Sequence, residues 1–287
     1  MRPVAVVTDT THYLPAAMVA DYGLRLVSLY VNWDGRTDRE ADIPDLDGYY
    51  DHLRTAPELP TTSQPSVGDF LAAYAPLEEA GHDVLSVHLS AGLSGTYESA
   101  LAAKAQLDEQ GREGAIEVVD SATTAGGLGL VALAAGAEAR AGGDLEAVAR
   151  RALAAREALK LWFCIDTMEF LRRGGRVGAA RAWVGSTLRI KPILSIESEI
   201  LPVERVRTAG RAFERMVDYL RSRHEDGADA WVVQHIQAPE QAERLVACGR
   251  EVFGSEPLFV SEVGPVIGTH AGPGMVGVGG LPGALVR

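Results

Sequence analysis

The chain has 287 residues, 47% of them hydrophobic and only 6% aromatic, with a formal net charge of −12 at pH 7. That length is enough for two packed domains of ordinary size, and the acidic balance excludes a protein that neutralises nucleic-acid phosphates over a broad basic face. Cys164 and Cys248 are isolated from each other in apolar or helical contexts, so no zinc site or disulfide framework is expected, and both thiols should be buried and inert. The N-terminus runs straight into a strand-like segment with no signal peptide, and no apolar stretch approaches the ~20 residues that cross a bilayer. The expectation is a cytoplasmic protein without a transmembrane segment, touching a membrane surface at most transiently.

Apolar runs at residues 4–8, 24–33, 84–89 and 116–119 alternate with helical patterns near 66–80, 95–110 and 125–141. This alternation predicts βαβ units and a mainly parallel sheet. An Ala- and Arg-rich helix over 145–159 leads into a new strand-led pattern at 161–165, and the domain boundary is placed there, giving an N-terminal unit of 1–159 and a C-terminal unit of 160–287. The second unit reads as a strand at 161–165, helices around 167–172 and 179–187, and a hairpin of 190–196 with 200–207 joined by Glu197-Ser198-Glu199. A further βαβ has strands at 231–235 and 258–261, and the chain closes in a Gly-rich segment over 264–283.

Three hydroxyl-rich loops follow parallel strands: Thr8-Asp9-Thr10-Thr11, Ser90-Ala91-Gly92-Leu93-Ser94, and Asp120-Ser121-Ala122-Thr123-Thr124. Ligands of open parallel sheets bind outside the carboxyl ends of the strands. A fourth such loop, Thr61-Thr62-Ser63-Gln64-Pro65-Ser66, ends with Ser66 as a helix cap and Asp69 at the third helical position. Ser94 is expected to cap the helix over 95–110, where the unpaired N–H groups favour a carboxylate or phosphate. Caps and turns account for any one of these loops alone; four at one edge point to a binding site.

His270 lies in Gly268-Thr269-His270-Ala271-Gly272-Pro273-Gly274, read as a loop in which it can donate to an anion. Gly272 to Gly277 spells G-x-G-x-x-G, but only ten residues follow it, too few for the strand-turn-helix unit of a dinucleotide site. Between residues 171 and 196 stand Arg172, Arg173, Arg176, Arg181, Arg189 and Lys191 with no Asp or Glu, which reads as a basic docking or phosphate-contacting patch. Gly174-Gly175 before Arg176 reads either as a flexible turn that presents the guanidinium groups or as a helix C-cap. Phosphate-loop, H-E-x-x-H and G-x-S-x-G signatures are missing.

Taken together, Thr8-Asp9-Thr10, Thr62-Ser63-Gln64-Pro65-Ser66, Leu93-Ser94-Gly95-Thr96-Tyr97, Val119-Asp120-Ser121, Leu171-Arg172-Arg173-Gly174-Gly175-Arg176, Ile190-Lys191-Pro192-Ile193-Leu194 and Thr269-His270-Ala271-Gly272-Pro273-Gly274 resemble the DegV family of bacterial fatty-acid-binding proteins. The resemblance runs in order over nearly the whole chain. It implies a two-domain α/β protein, an N-terminal mainly parallel sheet with flanking helices and a C-terminal domain with a mixed sheet, with a long-chain fatty acid buried between them. It also implies that Thr62 and Ser94 bind the carboxylate, that His270 belongs to the same hydrogen-bond network, and that Arg176 lies near a partner-facing surface; Arg172 and Arg173, of the same basic run, are read beside it as partner or phosphate contacts. Characterised members pass the fatty acid to a fatty acid kinase, so catalysis is expected in the partner. The chain departs from the family pattern at Thr10-Thr11-His12-Tyr13-Leu14, where a Ser and an acidic residue before the Leu are usual, and at Ala91, where a second Ser is common. The first change leaves the capping of the following helix open, and the second removes one head-group donor.

Two other classes remain at this level. Ser94 as nucleophile, His270 as base and Asp9 or Asp120 as orienting acid would make an acyl ester or thioester hydrolase. A regulator would use the basic patch to hold an acidic partner and the lipid only as a signal.

Overall fold

A computed structural model describes residues 2–111, 114–184 and 190–287 of the chain. In the first half, β1 (Val4–Asp9), α1 (Ala16–Asp21), β2 (Arg25–Val27), β3 (Tyr30–Trp33), β4 (Arg36–Arg39), α2 (Leu46–Thr55), β5 (Thr61–Ser63), α3 (Val67–Glu79), β6 (Asp83–His88), α4 (Thr96–Glu109), β7 (Ile116–Asp120), α5 (Gly126–Arg140) and α6 (Leu145–Ala158) follow in order. Strands β2-β1-β6-β7 form the parallel sheet that the alternating pattern predicts. The apolar run at 24–33 is not one strand. Its first part pairs with β1 up to Val27, and its second part turns away at Ser28 into an antiparallel sheet ordered β4-β3-β5. That second part pairs with β4 through a turn in which Asp34 and Gly35 both have positive φ, 49° and 73°, the backbone of a two-residue hairpin.

Helix ends follow local chemistry. Ser66 and Asp69 make the expected capping box at α3, each side chain accepting from the other's backbone N–H. Helix α1 starts after Pro15 with no side-chain cap, which answers the question left by the altered first loop. Helix α5 is buried along Gly126 to Ala137, as its Ala/Gly/Leu composition requires, and packs against α6. Among the described residues no helix is long and apolar enough to cross a membrane.

The second half contains β8 (Lys160–Cys164), α7 (Glu169–Arg173), β9 (Lys191–Glu197), β10 (Glu199–Val206), α8 (Ala209–Glu225), β11 (Ala230–His235), α9 (Pro239–Phe253), β12 (Phe259–Glu262), α10 (Pro265–Ala271) and β13 (Val276–Leu281). They form a mixed sheet ordered β10-β9-β8-β13-β11-β12. The hairpin around Ser198 forms as expected, with Ser198 at φ 67°. The Gly-rich closing segment is more ordered than a loop: it supplies α10, and then β13 inserts between β8 and β11, antiparallel to both. The rejected glycine pattern at 272–277 accordingly enters a strand and opens no helix. Of the helix expected over 179–187, the structure has a short 3₁₀ turn at Gly178–Trp183; Thr187 and Arg189 lie outside the described residues.

Alternation along the mixed sheet sorts two cores. Leu161, Phe163 and Val232 face the first half of the chain, whereas Cys164, Trp231, Val233 and Val278 pack under α8 and α9. Burial pushes the Cys164 thiol up to about 12, as an inert thiol requires. Cys248 is only half-buried, contrary to expectation, because it borders the buried stripe Ala242, Leu245, Val246 and Gly249 of α9.

Asp9, at the end of β1, is fully buried and organises the carboxyl edge of the parallel sheet. It accepts from the Thr11 N–H at 3.1 Å and hydroxyl at 2.6 Å, from the Leu89 N–H at 2.9 Å, and from His88 Nδ1 at 3.1 Å. The Tyr74 hydroxyl donates to Ser86 at 2.7 Å, so Ser86 gives its own proton to His88 Nε2 at 2.6 Å and His88 keeps Nδ1–H for Asp9. Burial alone would raise the Asp9 carboxyl, but these donors outweigh it and hold its pKa below the ordinary value. A carboxyl depressed in the folded state contributes stability that is present above its unfolded pKa and lost as pH falls through the folded one. Asp9→Asn is therefore expected to cost about 3 kcal/mol near neutrality. The gap to wild type should narrow as urea unfolding is repeated from pH 7 down to pH 3; a gap independent of pH would contradict the assignment.

Candidate ligand-binding site

The two halves are fastened on two sides. The hairpin tip sits on the carboxyl edge of the parallel sheet: Ser198 N–H donates to the Ala122 carbonyl at 2.8 Å, and the Ser90 hydroxyl donates to the Ser198 carbonyl. On the other side α10 rests on α2, with Tyr49 and Thr269 hydroxyls 2.6 Å apart and the Tyr50 hydroxyl donating to the Val263 carbonyl. Glu40 accepts there from Thr10, Tyr13 and the Val266 N–H, while burial pushes its carboxyl up.

Between these fastenings lies a cavity of about 950 Å³ counting its open mouth. Leu29, Leu89, Leu93 and Ala125 line it from the first half; Leu161, Phe163, Ile196, Val232 and Met275 line it from the second. Most of the wall is apolar, as in sites that hold the body of an apolar ligand. Thr62 on β5 and His270 in the last turn of α10, 208 residues apart, meet at 2.8 Å between Oγ1 and Nε2. Ser94, Gln64 and Arg176 line the same cavity. His270 is therefore helical, not in a loop. Ser94 does not cap α4: Gly95 takes the N-cap position without a side-chain bond, and the Ser94 hydroxyl pairs with Thr96 Oγ1 at 2.9 Å. One residue of extra turn releases Ser94 to the cavity wall.

Arg176 is the largest departure from expectation. The Gly174-Gly175 turn folds its side chain inward, where Nε donates to the Leu93 carbonyl at 3.2 Å and Nη1 to the Gly174 carbonyl at 2.7 Å. Among the described residues no carboxylate pairs with it and Nη2 has no partner. Arg172 and Arg173 stay outside, each about half exposed and paired with Glu169, whose carboxyl they hold at about 2. Lys191 pairs with Asp166. The acids that balance the basic run stand just before it in sequence, so the patch carries less net charge than its sign pattern suggests. Asp9 is committed to His88, and Asp120 accepts from the Ala91 and Ala122 N–H groups; neither bonds His270. Among the described residues no cluster of His, Cys, Asp or Glu is able to hold a metal ion.

Burial, with Arg176 beside it, holds the His270 imidazole down at about 4, so it is neutral at physiological pH. Its Nδ1 has no partner among the described residues and lies against the α-carbon of Gly174, so closely that a Cβ there would fall 2.1 Å away. A protonated Nδ1 would be a buried donor without an acceptor, so the proton belongs on Nε2. Nε2–H then donates to Thr62, and the Thr62 hydroxyl proton is free for an acceptor in the cavity. Gln234 and Thr124, also in the lining, were not singled out from the sequence; Gln234 is visible there only as a lone amide in the apolar run Trp231-Val232-Val233-Gln234.

A family model described as "Uncharacterised protein, DegV family" matches residues 3–282. The chain belongs to the DegV family. It is 38% identical over 280 residues to a DegV domain-containing protein of Streptomyces coelicolor, covering 96% of this chain and 98% of that one. Among solved structures, a fatty-acid-binding DegV family protein from Thermus thermophilus superposes with a TM-score of 0.87 at 32% identity, covering 98% of this chain and all of the other. DegV of Bacillus subtilis, described as a fatty acid binding protein, gives the same TM-score, identity and coverage. The α/β architecture of this DegV-family chain, a parallel sheet facing a mixed one, is thus the architecture of those proteins.

The tautomer is directly measurable. In ¹⁵N spectra of the imidazoles, His270 should show a protonated Nε2 and a bare Nδ1 at pH 6, and should take up a second proton only near pH 4. Titration near the ordinary histidine value, or the opposite tautomer, would contradict the geometry. Gly174→Ala should move the ring off Thr62 and change both signals.

Proposed function

We propose that the cavity holds a long-chain fatty acid, of about C14–C18, with its carboxylate at Thr62, Ser94, His270 and Arg176 and its tail along the apolar walls. The observation that carries this reading is the pairing of Thr62 with a neutral His270 beside an arginine that lacks a carboxylate partner among the described residues. Thr62 supplies an O–H, Ser94 a second hydroxyl, and Arg176 a positive charge, which together suit one carboxylate at the end of an apolar slot. Burial of the tail at ~0.8 kcal/mol per methylene is worth on the order of 10 kcal/mol before ordering costs, so the tail supplies affinity and the head group sets orientation. The related proteins of Thermus thermophilus and Bacillus subtilis, described as fatty acid binding, support the same ligand class.

Two units, 1–159 and 160–287, clasp the ligand in this reading, and the chain acts as a carrier in the cytoplasm. Catalysis belongs to a partner, a fatty acid kinase that converts the presented carboxylate to an acyl-phosphate, with Arg172 and Arg173 as its contacts. Arg176 moves from that outer surface to the head group. The hydrolase alternative finds no support in the hydrogen bonds: Ser94 pairs with Thr96 and His270 with Thr62, so no base reaches the nucleophile.

Calorimetric titration with hexadecanoate separates the roles. Thr62→Val, Ser94→Ala and Arg176→Gln should each weaken binding, the first and last by about tenfold or more, because each removes a bond to a charged group. Arg172→Glu combined with Arg173→Glu should leave binding intact and abolish phosphorylation by a fatty acid kinase. Equal affinity in wild type and all three head-group variants would refute the placement of the carboxylate.

A further inference from the structure

One residue in the cavity wall has no side chain. Gly277, on β13 at the centre of the mixed sheet, stands in register between Phe163 on β8 and Gln234 on β11. Alternation puts it on the sheet face that also presents Leu161, Phe163 and Val232 to the cavity. A glycine inside a strand weakens it, and such a glycine marks a bulge, a bend or a place where another group approaches closely.

Neither backbone nor packing demands glycine here. Its φ lies outside the left-handed region, β13 pairs without a register shift on both sides, and a Cβ at 277 would meet Phe163 Cβ at 3.4 Å, the Trp162 carbonyl at 3.6 Å and Met275 Sδ at 3.7 Å, all ordinary contacts. Gly279, two residues on and on the same face, is different: its Cβ would fall 3.0 Å from the Lys160 carbonyl and 3.2 Å from Leu161 Cβ. Packing accounts for Gly279. What distinguishes Gly277 is the open space in front of it.

We propose that Gly277 is a specificity-determining residue, its missing side chain keeping open the part of the slot that holds the acyl tail, so that side-chain volume at this position sets the acyl length accepted. The inference rests on the fatty-acid reading above. A side chain at 277 points from the sheet into the cavity beside Phe163, and in an interior packed at crystal-like density each added carbon takes the room of about one methylene of ligand.

The test uses the full chain as wild type, Gly277→Ala, Gly277→Leu and Phe163→Ala. Each is incubated with an equimolar ladder of saturated fatty acids from decanoate to octadecanoate, repurified, and extracted for mass spectrometry. Gly277→Leu should shift the bound profile shorter by about two to four carbons, Gly277→Ala should shift it slightly the same way, and Phe163→Ala should shift it longer. Profiles identical to wild type, at undiminished occupancy, would overturn the role of Gly277 while leaving the ligand class standing. A wild-type protein that takes up none of the ladder would instead overturn the fatty-acid reading and this inference with it. If Gly277→Leu does not fold, the profiles of the other two variants decide, and no shift in either overturns the proposal.

Discussion

The bond between Thr62 and His270 is the constraint on which the site depends. It joins a strand of the small antiparallel sheet to the end of α10 across 208 residues, in the wall of a mostly apolar cavity. An imidazole half-buried there beside a guanidinium is neutral at physiological pH, and a neutral imidazole with its buried Nδ1 pressed against Gly174 favours one tautomer. That tautomer turns Thr62 into a donor toward the cavity. The Gly174 backbone also accepts from Arg176, whose side chain lines the same cavity. Four segments distant in sequence thus bring Thr62, Ser94, Arg176 and His270 to the wall of one cavity.

The rest of the fold explains why the position is held. The parallel sheet ends in loops in which Asp9 and Asp120 hold the N–H groups of Thr11, Leu89, Ala91 and Ala122, which leaves a fixed rim on which the hairpin tip can seat. The mixed sheet turns one face to that rim and the other to α8 and α9, so its cavity side can be sparse without unfolding the sheet. Apolar burial behind the sheet supplies stability, and the open side supplies the slot.

Much of this was legible in the chain. The parallel strands and their helices were visible because period-two and period-3.6 patterns alternate cleanly, and the capping box at Ser66 and Asp69 is a local code; Thr62, Ser94 and His270 all line one cavity. Other features carry no local signal. The glycines in Val276-Gly277-Val278-Gly279-Gly280 leave little hydrophobic alternation, so a central strand resembled a loop. The run of cations around Arg176 does not say which of them points inward, and its balancing acids, Asp166 and Glu169, precede it. Ser94 resembled a cap because cap and cavity donor use the same hydroxyl, and one residue of turn decides between them.

The most direct test of the central claim is the carboxyl resonance of ¹³C1-labelled hexadecanoate bound to the protein, followed as pH is lowered. The account predicts a single bound signal that stays in the ionised position well below the pKa of a free carboxylic acid, because Arg176 and Thr62 favour the charged form, and that loses this protection in Arg176→Gln. No bound signal, or one that titrates as the free acid does in both proteins, would contradict it.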